Sequence, residues 1–344
     1  MYDYSKIAAP LLEWYDCHKR DLPWRKNANP YYVWVSEIML QQTRVEAVKD
    51  YFRRFIQALP SVEALAEAPE EQLLKLWEGL GYYNRVRNMQ QAAKTVMEEY
   101  QGVFPADYEE LLKLKGIGTY TAGAIVSIAY GQKVPAVDGN VLRVMKRLAG
   151  SYDDILKASV KKELEKQLLP IMPERAGAFN QAIMDLGAMV CIPNGQPLCE
   201  QCPLEKMCIA RKRGIVMELP VKTKKKARKI EEKTILLLEC QGKYAIRKRR
   251  AKGLLAGMWE LPSVEGKCSR KEIEKILSKD NDEVFVRELG DSVHIFSHIE
   301  WHMTGYGISL PKPLHTEGYV WVTPEELQEQ YAVPAAFSVY LETL

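Results

Sequence analysis

The chain has 344 residues, 47% of them hydrophobic and 27% charged, with a formal net charge of +3. That length and apolar content suffice for two or three packed cores and exclude a disordered chain. The modest charge does not by itself mark a nucleic-acid partner, and no apolar run approaches the length of a membrane span, since Ile235–Leu238 is broken by Glu239.

The opening MYDYSKIAAP has no basic region followed by an apolar stretch, so a cytoplasmic protein is expected. Up to about residue 215 apolar side chains recur at helical spacing: Ile7, Leu11, Leu12 and Tyr15, then Trp34, Ile38, Gln42 and Val45, then Leu73, Leu76, Trp77 and Leu80. An all-α region is predicted there. Glu37 stands in the apolar run WVSEIMLQQTR. Packed against a core, its charged form is disfavoured and its pKa rises, which suits a general acid near neutral pH. An isolated glutamate is more often found on the outer face of an amphipathic helix.

LKGIGTYTA places Gly116 and Gly118 between helical runs, where they can take backbone angles other residues avoid and leave amide N–H groups bare. Such a turn opening a helix can hold a phosphate, or can simply cap a helix corner. TAGAIVSIAY, residues 121–130, is apolar or small all round and predicts a central helix buried on every side. Asp138 in AVDGNVLRV precedes a helical run and on its own reads as a helix cap.

Four of the seven cysteines, Cys191, Cys199, Cys202 and Cys208, fall within eighteen residues in the spacing C-x7-C-x2-C-x5-C. Pro193, Gly195, Pro197 and Pro203 prevent a continuous helix there and let the chain wrap around a metal. Four thiolates suit zinc and an iron–sulphur centre equally.

After Pro220, Lys222, Lys224, Lys225, Lys226, Arg228 and Lys229 put six positive charges into eight residues, as in a solvated linker that can also meet phosphates. Beyond residue 230 short strand-like runs follow: TILLLE and YAIR around Gln241-Gly242, then VFV, VHIFSHIEWHM and YVWV. Ser269–Glu272 and Thr323–Glu326 have capping-box spacing, the second with Pro324 at the first helical position. A small α/β domain is predicted.

LKGIGTYTAGAI, PAVDGNVLRV and the four-cysteine loop, in this order, resemble the helix–hairpin–helix DNA glycosylases that carry an iron–sulphur cluster. RDLPWR (residues 20–25), VSEIMLQQTR and EGLGYYNRVRN, followed by a second domain, are similar to the MutY-type adenine DNA glycosylases within that superfamily. The resemblance covers nearly the whole chain. It implies an all-α helix–hairpin–helix core with an iron–sulphur loop (residues 1–215, the loop at 191–208), a basic linker (216–231) and a Nudix-like α/β domain (232–344).

It also implies hydrolysis of adenine mispaired with 8-oxoguanine or guanine in duplex DNA, by a monomer at the nucleoid in base excision repair. Glu37 would protonate the flipped base, Asp138 would stabilise the sugar cation, and Tyr120 and Asn140 would hold Asp138 and the sugar. Bifunctional members carry a hairpin lysine as Schiff-base nucleophile. Tyr120 occupies that position, which implies base removal without strand cleavage.

Arg20, Trp24, Arg25, Gln42, Thr43, Leu80, Tyr82, Gly116 and Gly118 would contact DNA, Gln42 as the wedge that fills the gap of the flipped base. Phe296, Ser297 and His298 would contact 8-oxoguanine. Cys191, Cys199, Cys202 and Cys208 would hold a [4Fe-4S] cluster, although the first loop has seven intervening residues where the family usually has six. GLLAGMWELP at 253–262 is Nudix-like, but SRKEIEKILSKDN replaces the acidic Mg²⁺-binding helix, so this domain is expected to read and not to hydrolyse. Alternative readings are a mismatch glycosylase with another target, such as thymine opposite guanine, a non-catalytic damage-binding protein, and a Nudix hydrolase with a helical appendage.

Overall fold

The computed structural model describes residues 2–223, 227–277, 284–314, 316–342 and 344. Lys224, Lys225 and Lys226 of the basic linker and the end of SRKEIEKILSKDN lie outside them. The chain forms two compact units, Met1–Ala68 with Arg87–Lys224 and Pro69–Val86 with Lys225–Leu344. The grouping of residues 69–86 with the C-terminal unit is not visible in the linear order of motifs.

Among the described residues twelve α-helices precede the first strand: α1 (Ala8–His18), α2 (Pro30–Met39), α3 (Val45–Ala58), α4 (Val62–Glu67), α5 (Glu70–Leu76), α6 (Asn84–Tyr100), α7 (Tyr108–Lys113), α8 (Thr119–Tyr130), α9 (Gly139–Ala149), α10 (Ala158–Leu168), α11 (Ala176–Met189) and α12 (Ile209–Arg213). Local chemistry sets several ends. Asn29 accepts from the Tyr31 N–H and Pro30 opens α2, while Gly131 closes α8 at φ +70°.

The predicted run from Trp34 to Val45 is not one helix. It stops at Met39, Gln42 takes φ +61°, and α3 starts at Val45. Likewise α5 ends at Leu76, and Gly79 at φ +91° turns the chain before Leu80. In the first unit α1, α9 and α11 share a core built on Leu11, Met145, Phe179, Ile183 and Leu186. The expected central helix is α8, buried from Thr121 to Ser127. A Cβ on Gly123 would lie 2.6 Å from the Pro135 carbonyl oxygen, so only glycine lets α8 press against the strand of chain leading to Asp138.

Among the described residues the second unit is built on a mixed sheet of seven strands: β1 (Lys229–Cys240), β2 (Lys243–Lys248), β3 (Trp259–Glu260), β4 (Ser263–Glu265), β5 (Phe285–Ile295), β6 (Ile299–Ser309) and β7 (Tyr319–Val322). The order is β3-β2-β1-β6-β5, with β4 pairing to β1 and β7 to β2; β1 and β6 are parallel. Central β1 is covered on both faces, which explains the unbroken TILLL run. Ile235 and Leu237 pack with Trp301, Phe337 and Tyr340, and Leu236 and Leu238 with Ile273 and Leu277 of α13 (Arg270–Leu277).

The single strand-like run VHIFSHIEWHM resolves into two antiparallel strands joined by a turn at Phe296-Ser297-His298. The capping box opens α14 (Pro324–Gln330) as predicted. At Ser269 only half of a box forms, because the Glu272 carboxylate accepts both the Ser269 N–H and its hydroxyl at 2.7 Å. Among the described residues no helix is long and apolar enough to cross a membrane.

Candidate active site

Glu37 lies on the inner side of α2 and is 6% exposed. Its outer-face placement is thereby excluded. Tyr120, in the first turn of α8, donates its phenol hydrogen to Glu37 Oε2. Burial pushes the Glu37 carboxyl up to about 7, aided by the nearby Asp138 and opposed by the Tyr120 hydrogen bond and the Arg25 charge. The Tyr120 phenol is held far above its ordinary range, first by burial and then by the two carboxylates, so it remains a neutral donor.

Asp138 is the N-cap of α9, as its sequence context suggests, and accepts from the Val141 N–H at 2.7 Å and from Asn140 Nδ2 at 2.8 Å. Burial raises its pKa, and these two donors with Arg143 pull it back. Glu37, Tyr120, Asp138 and Asn140 line one cavity of about 900 Å³, together with Arg20, Trp24, Arg25, Gln42 and Thr43.

From Asn140 the contacts continue outward. Arg143 donates to Asn140 Oδ1 (3.0 Å), to the Gly187 carbonyl (2.7 Å) and to the Cys191 carbonyl (3.0 Å). Arg147, 3% exposed, donates to the carbonyls of Ile192 and Leu219 and reaches Cys191 Sγ at 3.4 Å. Among the described residues no carboxylate lies within ion-pair distance of Arg147. The thiols of Cys191, Cys199, Cys202 and Cys208 are free and half-buried.

Burial pushes the Cys202 thiol up to about 12, and the other three cysteines push it the same way, so the four share one electrostatic environment. Yet among the described residues no three ligating side chains converge as a single ion requires. Four free thiols in one loop, with the buried guanidinium of Arg147 reaching Cys191 Sγ, are a donor set chemically suited to a metal centre.

The chain matches the model of the HhH-GPD superfamily of base excision DNA repair proteins over residues 35–170 and that of the NUDIX domain over residues 234–343. It is 37% identical to the human adenine DNA glycosylase over 98% of this chain and 75% of that protein. To the adenine DNA glycosylase of Buchnera aphidicola (strain Sg) it is 34% identical over 88% of this chain and 86% of the other. This chain belongs to the adenine DNA glycosylase family. Among solved structures it is similar to a thermostable thymine-DNA glycosylase (TM-score 0.54, 28% identical, covering 60% of this chain and 95% of that one). It is similar also to endonuclease III in a non-covalent complex with DNA (TM-score 0.53, 28% identical, covering 62% and 99%).

The remaining predicted residues of this adenine DNA glycosylase are disposed in different ways. Arg20 and Arg25 reach the cavity but are tied to the fully buried Asp185 at 2.6 and 2.7 Å. Trp24 is buried edge-on to Phe52 while reaching the cavity wall. Leu80 is 6% exposed, so its side chain is part of the interior and not a surface contact. Gln42 and Tyr82 both hold positive φ, and Tyr82 is 47% exposed.

Only one of the two hairpin glycines needs its freedom. Gly116 has φ +80° and no room for a Cβ beside Asn88, whereas Gly118 sits at φ −102° in open space. Gly118 gives α8 no side-chain cap, which leaves the first amides of that helix bare. In the sheet unit Phe296 packs its ring against His294 and Trp301, Ser297 donates to the Tyr82 hydroxyl at 3.0 Å, and His298 is exposed.

Sequence reasoning missed Asp185, Gln181, Met184 and Lys161. The last three line the cavity, and Lys161 donates to the Thr119 hydroxyl at 2.9 Å. Asp185 carried the same signal as Glu37, a carboxylate within an apolar helical run, here AIMDLGAMV. Gln181, Met184 and Lys161 come from helices α10 and α11 far along the chain, and no local pattern marks them.

Proposed function

We propose that this enzyme flips adenine out of duplex DNA where it faces 8-oxoguanine or guanine and hydrolyses its glycosidic bond, initiating base excision repair. The observation that carries the reading is the buried Glu37–Tyr120 pair beside Asp138 in one cavity of about 900 Å³. Glu37, with its pKa raised to about 7, holds a proton near neutral pH and gives it to N7 of the extruded adenine as the C–N bond stretches. Tyr120 occupies Oε2, so the proton is delivered from Oε1.

Positive charge then develops on the sugar. Asp138, fixed by Val141 N–H and Asn140, faces that cation and stabilises it before water completes the substitution. No amine stands at position 120, so the product is an abasic site with an intact strand.

Extrusion of the base costs a few kcal/mol of unstacking. Gln42 is our proposed wedge, since a non-glycine residue persists at positive φ only where its surroundings impose it, often at a ligand site. Trp24 and Arg25 line the place of the flipped base. The bare amides at the start of α8, after Gly118, take a DNA phosphate, and Phe296, Ser297 and His298 with Tyr82 read the 8-oxoguanine. Cys191, Cys199, Cys202 and Cys208 would hold a [4Fe-4S] cluster, whose iron–thiolate bonds cross-link their loop. Arg143 and Arg147 supply its countercharge. The setting is the cytoplasm, as a monomer on nucleoid DNA.

The test uses duplexes carrying A:8-oxoguanine, A:G, T:G and U:G, followed by alkali to reveal abasic sites. Cleavage of the first two alone is expected. Failure on A:8-oxoguanine, or strand cleavage without alkali, overturns the reading.

A further inference from the structure

A buried ion cluster stands beside the cavity, and its carboxylate has no part in the steps above. Asp185 on α11 is fully buried and accepts Arg20 Nε at 2.8 Å and both terminal nitrogens of Arg25 at 2.7 and 2.9 Å. Arg25 lines the cavity that holds Glu37, and its charge acts on that carboxyl. A guanidinium left uncompensated there would favour the carboxylate and strip the acid of its proton. The bidentate pair with Asp185 offsets part of that charge and fixes the guanidinium plane.

We propose that Asp185 is a positioning residue for base protonation, holding Arg25 in place and offsetting part of its charge so that Glu37 keeps its proton. This rests on Glu37 being the acid. The charged and titratable groups that face Glu37 are Tyr120 from α8, Asp138 from the start of α9 and Arg25 from the Pro23–Arg25 turn. Those that face Arg25 are Asp185 from α11, Arg20, Glu37 and Tyr15 from α1, whose ring lies 5.8 Å from the guanidinium carbon. Asp185 is the carboxylate in direct contact with Arg25, so its loss would leave the Arg25 charge without its partner beside Glu37.

The experiment is the pH dependence of the single-turnover base-release rate on an A:8-oxoguanine duplex, using the full-length protein. In Asp185→Asn the alkaline limb should move down by about one pH unit, so that the rate loss at pH 8 is about tenfold greater than at pH 5.5. Asp185→Glu should restore the wild-type limb. The double variant D185N/R25Q, which removes the cation nearest Glu37, should also restore it or carry it higher.

A uniform rate loss at every pH in Asp185→Asn, or a limb that stays low in the double variant, overturns the inference. Should Asp185→Asn not fold, Arg25→Gln reads the same coupling: its limb should move up, and a limb that stays or falls overturns the proposal. Wild type and Glu37→Gln are measured alongside. Base release that persists in Glu37→Gln defeats the reading of Glu37, whereas a limb that depends on Glu37 but ignores Asp185 defeats only the present inference.

Discussion

The cavity of the helical unit and the Phe296–His298 turn of the sheet unit treat their polar groups in opposite ways. In the cavity Glu37, Tyr120 and Asp138 are largely withdrawn from water, each has a named partner, and burial is the first cause of every pKa change there. In the turn Ser297 and His298 are exposed. Ser297 has the Tyr82 hydroxyl as partner, and Phe296 is pinned between two rings. Proton transfer needs groups moved away from their solution behaviour, whereas reading a base edge needs ordinary donors on a rigid support.

The contrast can be broken most sharply at Glu37. Glu37→Gln should reduce base release by about 10²–10⁴-fold, the usual share of a general acid, while gel-shift binding of the duplex persists. Near-wild-type release would remove the chemistry from this side of the comparison.

Asp138→Asn should cost on the order of 10²-fold in the same assay, through lost stabilisation of the sugar cation. Asparagine caps a helix about as well as aspartate, so the melting temperature should hardly move. A large fall in melting temperature with equal loss would instead mark Asp138 as structural only.

Wild-type release should fall tenfold per unit above about pH 7, because the protonated form of Glu37 is the working one and its pKa is raised to about 7, and should fall again in acid where the raised carboxyl of Asp138 takes up a proton. A rate that climbs above about pH 7 would reverse the assignment of Glu37. On the other side of the comparison, His298→Ala and Ser297→Ala should leave release from A:G within a few-fold of wild type and reduce the preference for A:8-oxoguanine by about tenfold, the scale of one or two exposed hydrogen bonds. Equal loss on both duplexes would make the turn a general DNA contact.

Analysis for iron and sulphide addresses the cysteine loop separately. Brown protein with both elements present is expected, and colourless protein holding zinc would refute the cluster.

Legibility in the sequence followed how local each cause was. Thr323-Pro324 with Glu326 specified a capping box within four consecutive residues, and it forms. The run Trp34–Val45 misled because apolar spacing continues through a turn at Gln42 that serves no helical repeat. VHIFSHIEWHM misled because its turn, Phe296-Ser297-His298, holds no Gly, Pro, Asn or Asp to mark a break between the two strands. The Gly116 and Gly118 pair looked equivalent, yet a positive φ and the nearby Asn88 constrain only the first.

The sequence by itself determined the family, the α then α/β succession, the loop of four cysteines and the two carboxylates at positions 37 and 138, because each is written in residue types at short, fixed spacing. Only the tertiary structure decided that Glu37 faces inward, that Tyr120 donates to it, and that Asp185 ties down Arg20 and Arg25 from some 160 residues away. It also joined residues 69–86 to the sheet unit, placing Tyr82 beside Ser297. The physical reason is common to all of these: desolvation and charge pairing depend on which distant segments pack around a side chain, and no spacing along the chain records that.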